Sequence, residues 1–275
     1  MLGVMRAWWF GLSSRRRLLV VVCACVIAIG GVGAGIASAG GTPPSAKPDP
    51  ERPGYVLLVP GYGGSTGSLD VLAAKIRQAG KTAIVVTLQG NGTGDLRAQA
   101  TVLQGYVERA VKDGSGPVTI IGYSAGGVVA WLWDVTYDGA ARAARIITLG
   151  SPFHGTDLAA LGNTFLPGDC PVACQQLVPG SSLLAQLANS SAPRPPWLSL
   201  WTTDDQTVSP PTSARMNGAV NVPLQSVCPG ANISHSQLPD DQLVDGIVLH
   251  VLETGQITVP TSGECKPLSA LGAAG

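Results

Sequence analysis

The 275-residue chain is 45% apolar and 12% charged, which supplies one sizeable core and argues against a disordered chain. Lys and Arg number 17, as do Asp and Glu; because Arg6, Arg15, Arg16 and Arg17 fall in an N-terminal stretch without acids, the rest is net acidic. A basic face for nucleic acid is not expected, and three histidines leave few ligands for zinc, so no metal is expected.

From the N-terminus, Arg15-Arg16-Arg17 precedes an apolar run from Leu18 to Ala37 that ends in Ala37-Ser38-Ala39. A charged start, an apolar middle and a small-x-small end predict an export signal over 1–39, cut before Gly40. Residues 14–19 also resemble a twin-arginine signal. The alternative is an uncleaved anchor on the outer face of the membrane, since about 20 apolar residues can span a bilayer. Pro43, Pro44, Pro48, Pro50 and Pro53 predict an extended linker over 40–53, with the folded domain over 54–275. An exported protein meets an oxidising compartment, so Cys170, Cys174, Cys228 and Cys265 are expected as disulfides. Proximity favours Cys170 with Cys174 and Cys228 with Cys265 among the three possible pairings.

Within the body, β-branched and apolar runs predict strands over 55–59, 82–87, 118–122, 145–149, 198–202 and 220–227. Most are continuously apolar, as in a sheet buried on both faces. Leu69, Leu72, Ala73 and Ile76 repeat at helical spacing, as do Leu96, Leu103, Val107 and Val111. Further helices are expected after Ser124 and over 239–253. This alternation gives the α/β class: a mostly parallel sheet of about six strands, flanked by helices on both faces. Residues 157–196 break the rhythm and read as an irregular, cap-like insertion with one short helix over 181–188.

Two segments match Gly-x-Ser-x-Gly. Gly122-Tyr123-Ser124-Ala125-Gly126 follows a β-run directly and precedes a helical pattern. So sharp a turn from strand to helix crowds its neighbours, and glycines on both sides relieve the crowding. The turn lifts the Ser124 hydroxyl above the sheet and aims a helix N-terminus at the place where negative charge would develop. Ser65, in Gly63-Gly64-Ser65-Thr66-Gly67, lies in a loose loop and reads as a turn or helix cap before Leu69. That loop has a separate use: the N–H groups of Tyr62 and Ala125 are the expected oxyanion donors.

A serine needs an imidazole to take its proton. His250 falls mid-helix among Val248, Leu249, Val251 and Leu252, and His154 in Gly150-Ser-Pro-Phe-His154-Gly reads as a neighbour of the site. His235, in a polar loop between the last strand and the last helix, is the expected base. An acid between 124 and 235 completes a Ser–acid–His order, and Asp204 and Asp205 both stand just past a strand. Asp134 and Asp138, at the far end of the helix after Ser124, read as surface charges.

These segments together resemble a family. Gly-Tyr-Ser-Ala-Gly-Gly at 122–127, Leu-Gly-Ser-Pro-Phe-His-Gly-Thr at 149–156, Gln-Leu-Val-Pro-Gly-Ser-Ser-Leu-Leu at 176–184 and Asp-Gln-Thr-Val-Ser-Pro at 205–210 look like the secreted bacterial lipases and esterases of the α/β-hydrolase fold, the actinobacterial ones especially. The resemblance implies Ser124, Asp205 and His235 as a triad, with Asp205 preferred to Asp204 by its place before Gln-Thr-Val. It implies acyl-enzyme hydrolysis of a carboxylic ester and no cofactor; a lipid is a candidate substrate, a lipid interface a candidate partner surface, and the protein is expected to be a monomer. Where such enzymes usually carry His-Gly, this chain has Pro60-Gly61. The alternatives on the same triad are an acyltransferase or a polyester or peptide hydrolase; the remaining one is a non-catalytic binding module. The apolar residues of the insertion (Leu158, Leu161, Phe165, Leu166, Leu177, Val178, Leu183, Leu184 and Leu187), together with Phe153, are the expected lining of an acyl trough or cap.

Overall fold

The computed structural model describes residues 52–165, 168–191 and 194–274. The expected export signal over 1–39, residues 40–51 of the expected linker, and Leu166 lie outside them. The apolar runs become six strands: β1 (Gly54–Val59), β2 (Ala83–Val85), β3 (Gly116–Tyr123), β4 (Ala143–Leu149), β5 (Trp197–Trp201) and β6 (Val220–Pro223). They form one sheet in the order β2-β1-β3-β4-β5-β6, and every neighbouring pair is parallel. Alternate side chains enter different cores. Leu57, Val59, Val118, Ile120 and Ile146 face one, and Val56, Leu58, Ile121, Ile147 and Leu149 the other. Burial on both faces is why the strands read as unbroken apolar runs.

Helices α1 (Gly67–Gln78), α2 (Leu96–Lys112) and α3 (Ala125–Thr136) follow β1, β2 and β3. The spacing of Leu69, Leu72, Ala73 and Ile76 puts one face of α1 in the second core, while α2 and α3 cover the first. The N-cap of α1 is Thr66 rather than Ser65. Asp95 caps α2 by accepting from the Arg97 N–H at 2.9 Å, and α3 is buried along its whole length from Ala125 to Asp134.

The segment after β4 is more regular than the sequence suggests. Three short helices replace the single one expected: α4 (Asp157–Phe165), α5 (Val172–Gln176) and α6 (Ser182–Ala188). Their support is tertiary. The Asp157 N–H donates to Ser209 O at 2.8 Å and the Ala173 N–H to Thr93 O at 3.1 Å. Gln176 accepts from the Leu96 N–H at 2.8 Å and donates to the Asp95 carboxylate at 2.6 Å. A disulfide joins Cys170 to Cys174 around α5.

At the C-terminal end, β6 stops at Pro223, short of the expected 227. Proline has no N–H to continue a ladder, and the chain turns into the short helix α7 (Leu224–Val227). Helix α8 (Gln242–Thr254) starts later than 239, where Asp241 accepts from the Leu243 and Val244 N–H groups. A last helix, α9 (Cys265–Ala274), had no counterpart among the expected elements. Its main chain lies directly on α8 at Gly246 and Gly272, where any side chain would strike the opposing backbone. The Cys228–Cys265 disulfide ties it to the residue after α7.

Candidate active site

The strand order reverses direction between β1 and β3, which are paired with Val59 opposite Gly122. Chains leaving their carboxyl ends diverge there and open a crevice, the usual ligand site of an open parallel sheet. Gly61, just past β1, and Ser124, just past β3, meet in that crevice: a Cβ on Gly61 would stand 2.9 Å from the Ser124 Cβ. Only a residue without a side chain lets the β1 loop approach so closely.

Ser124 has φ 52° and ψ −128°, a conformation that costs a non-glycine residue on the order of 1–3 kcal/mol. Its neighbours hold it there. The Ser124 N–H donates to Leu149 O at 2.8 Å, and the Gly127 N–H donates to Ser124 O at 3.0 Å. A side chain on Gly122 would meet the Gly127 Cα at 2.6 Å, and one on Gly126 would collide with the carbonyls of Val59 and Pro60. The two glycines are thus demanded by contact, and the bend presents the hydroxyl to solvent at the mouth of α3.

His235 reaches Ser124 from 111 residues downstream. Its Nε2 lies 3.0 Å from Ser124 Oγ, and its Nδ1 lies 2.7 Å from Asp205 Oδ2. An ionised carboxylate only accepts, so the Nδ1–H donates to Asp205 and the Nε2 lone pair faces the serine O–H. Both His235 and Asp205 are buried. The other carboxylate oxygen, Oδ1, accepts from the N–H groups of Thr207 and Val208 at 2.9 and 2.7 Å, which fixes the acid in its turn. Asp204 is turned away and exposed, its carboxylate accepting a hydrogen bond from Gln225 Nε2 at 3.3 Å.

Two further residues frame the imidazole, and neither was singled out from the sequence. Tyr123 donates its hydroxyl to His235 O at 3.2 Å and lays its ring 5.2 Å from the imidazole. Burial, reinforced by the Asp205 charge, pushes its phenol up to about 12. Gly150, just past β4, leaves the space behind the ion pair; a Cβ there would lie 3.2 Å from both Asp205 Oδ2 and His235 Nδ1. Gly150 stood inside a quoted segment, yet nothing in local spacing marks what it packs against.

A cavity of about 470 Å³ opens beside Ser124 and His235. Gly61, Tyr62 and Tyr123 line it on the β1 and β3 side, and Leu158, Ala159, Gly162, Cys174 and Leu177 on the side of α4 and α5. Thr207 and Val208 of the acid loop complete the wall. Ala125 is the first residue of α3, so its N–H has no acceptor within the helix. Tyr62 follows the close approach of Gly61, in a turn closed by the Gly64 N–H donating to Gly61 O at 3.1 Å.

Several expectations are corrected here. Leu183, Leu184 and Phe153 do not line this cavity; all three are packed in the core over α3, with the Phe153 ring edge-on to Trp131 and Trp197. Their apolar character serves burial; of the apolar residues expected to line the trough, Leu158 and Leu177 do line the cavity. His154 belongs to a separate depression with Asp157, Ser213 and Arg215. His250, by contrast, stands where its mid-helix place puts it, half-buried on α8 and outside the cavity. Asp134 is no surface charge: it is 1% exposed, and neither carboxylate oxygen has a hydrogen-bond partner among the described residues.

No protein-family model and no curated protein matches the chain. Among solved structures it is similar to Aspergillus fumigatus lipase B, at 17% identity and a TM-score of 0.66, over 82% of this chain and 59% of that one. It is also similar to the Bacillus licheniformis lipase BlEst2 in its propeptide form (17% identity, TM-score 0.61, 79% of this chain and 53% of that one). A third likeness is to a structure of the metagenome-derived lipolytic enzymes LipS and LipT, at 17% identity and a TM-score of 0.57, over 77% of this chain and 98% of that one. The chain thus spans under two thirds of the length of the first two. At such identities likeness speaks to architecture. With its six parallel strands and flanking helices, the chain has the α/β-hydrolase fold.

Proposed function

We propose that the protein is a serine hydrolase of carboxylic esters, with Ser124 as nucleophile, His235 as base and Asp205 as the acid that holds the imidazole. The observation that carries this reading is the hydrogen-bonded chain from Ser124 Oγ through His235 to Asp205, at 3.0 and 2.7 Å. Lipases and lipolytic enzymes among the structural likenesses support an ester as the bond attacked.

In the first half-reaction, His235 Nε2 takes the Ser124 proton as Oγ bonds to the ester carbonyl carbon. The carbonyl oxygen becomes an oxyanion between the Tyr62 and Ala125 N–H groups, each worth on the order of 3 kcal/mol to such a transition state. Collapse breaks the bond to the alcohol oxygen, and the imidazolium returns its proton to that oxygen. In the second half, His235 deprotonates water, which attacks the acyl-serine; the acid leaves, and Ser124 regains its proton. Asp205 stabilises the imidazolium in both halves.

We also propose that the mature protein acts outside the cytoplasm as a monomer. The sequence pattern over 1–39 and the two disulfides support export. No helix among the described residues is long and apolar enough to cross a membrane. Ser124→Ala should abolish p-nitrophenyl butyrate turnover and labelling by a fluorophosphonate probe, with an unchanged circular dichroism spectrum. Undiminished turnover in that variant would remove the proposal.

A further inference from the structure

Helix α4 turns Leu158, Ala159 and Gly162 toward the cavity beside Ser124. Glycine is among the poorest helix formers, so its place inside an apolar helix calls for a reason. Backbone conformation is not the reason, because Gly162 lies within the helix and outside the residues of positive φ. Close packing is not the reason either. Among the described residues, a Cβ on Gly162 would meet Cys174 Sγ alone, at 3.4 Å, an ordinary van der Waals contact. What the missing side chain leaves is open cavity wall.

The position of that gap matters. Helix α4 starts at the acid loop, where the Asp157 N–H donates to Ser209 O and Thr156 Oγ1 donates to Thr207 O at 2.6 Å. At 1.5 Å of rise per residue, Gly162 lies roughly 7 Å farther along the helix axis. The facing wall is α5, with Cys174 Sγ 3.9 Å from Ala159 O. That wall cannot retreat easily, since Gln176, bonded to the Leu96 N–H and Asp95, and the Ala173 N–H, bonded to Thr93 O, tie α5 to the start of α2 and the loop before it.

We infer that Gly162 determines acyl length: the gap beside it receives the distal methylenes of a straight-chain acyl group whose carbonyl lies at Ser124. The substrates are then esters of medium and long unbranched fatty acids rather than of short acids alone. This inference rests on the ester-hydrolase reading. A side chain at 162 would project into the space those methylenes occupy, while a short acyl group would end before it.

The test compares kcat/KM for p-nitrophenyl butyrate and p-nitrophenyl laurate in the wild type, Gly162→Ala and Gly162→Leu. The laurate-to-butyrate ratio should fall by about tenfold or more in the leucine variant, and by less in the alanine variant. Alanine favours the helix and makes no contact under 3.4 Å, so Gly162→Ala should melt no lower than wild type. Should the leucine variant not fold, the alanine variant still decides. A ratio unchanged in the folded variants overturns the inference and leaves the ester reading standing. A wild type that hydrolyses neither ester removes both.

Discussion

Tyr123 precedes Ser124 in the chain, yet its hydroxyl donates to the main-chain carbonyl of His235 at 3.2 Å. Nucleophile and base therefore share a support: the residue that enters the elbow also holds the loop that carries the imidazole. Tyr123→Phe keeps the ring against His235 and deletes the one bond, worth about 1 kcal/mol for a neutral pair. A roughly fivefold fall in kcat with little change in KM is expected, because the loss is in the aim of the base. The phenol, pushed up to about 12, stays protonated through ordinary alkaline assays. The wild-type pH–rate profile below about pH 10 should therefore owe nothing to it, and the Phe variant should keep the same profile at a lower plateau. A KM rise with kcat intact would refute the positioning role.

Asp204 and Asp205 offer a built-in control, adjacent in sequence and opposite in exposure. Asp205 is 5% exposed and bonded to His235, whereas Asp204 meets Gln225 at the surface. Asp205→Asn substitutes an amide whose NH₂ competes with the Nδ1–H and favours the wrong imidazole tautomer. By analogy with the serine-protease triad, kcat should fall on the order of 10³–10⁴-fold. Asp204→Asn should change it by less than about twofold. Steady-state kinetics on one soluble ester decides the matter, and equal effects would count against Asp205 as the acid.

The difference between these two aspartates also shows what was legible beforehand. The elbow could be read because its demand is local: two glycines two residues from a serine, between a β-run and a helix. Strands such as β3 could be read because both faces are buried. Helices α4 and α5 could not, since they are short and owe their order to partners such as Thr93 and Asp95, about 80 residues away. Helix α9 was hidden for a related reason, as its docking depends on Gly246 and Gly272 meeting in space. The apolar pattern of 183–187 announced burial correctly but not the direction faced. It turned Leu183 and Leu184 toward α3 and left the cavity wall to Leu158 and Leu177.

The two disulfides should contribute unequally. Cys228 and Cys265 are 37 residues apart, and Cys170 and Cys174 only 4. Loop-closure entropy in the unfolded chain then gives about 4 kcal/mol for the long loop and about 2 kcal/mol for the short one. Paired serine substitutions, followed by urea titration, should reproduce that order. The Cys170→Ser, Cys174→Ser variant should in addition alter ester preference, because Cys174 stands in the cavity wall. The Cys228→Ser, Cys265→Ser variant should lose stability and keep its preference. A short-loop variant less stable than the long-loop one would contradict the entropic account.

Asp134 gives stability a pH dependence of its own. Burial in α3 pushes its carboxyl up to about 7 from an ordinary 3.8, with Asp138 adding to the rise and the Arg194 charge opposing it. The folded chain thus holds this proton over a range in which the unfolded chain has released it. Stability is undiminished by Asp134 below about pH 4, falls as pH rises toward about 7, and stays lowered above that. Asp134→Asn replaces a group that must charge with one that cannot, at nearly constant volume. Calorimetry should find the variant and the wild type melting alike near pH 4. A gap in favour of the variant should open through pH 5 and 6 and reach several degrees by pH 8. Should the variant melt lower than wild type at pH 8, interactions that stabilise the charged carboxylate, the Arg194 charge among them, would outweigh its burial, and the assignment of Asp134 as an acid held neutral by burial would be wrong.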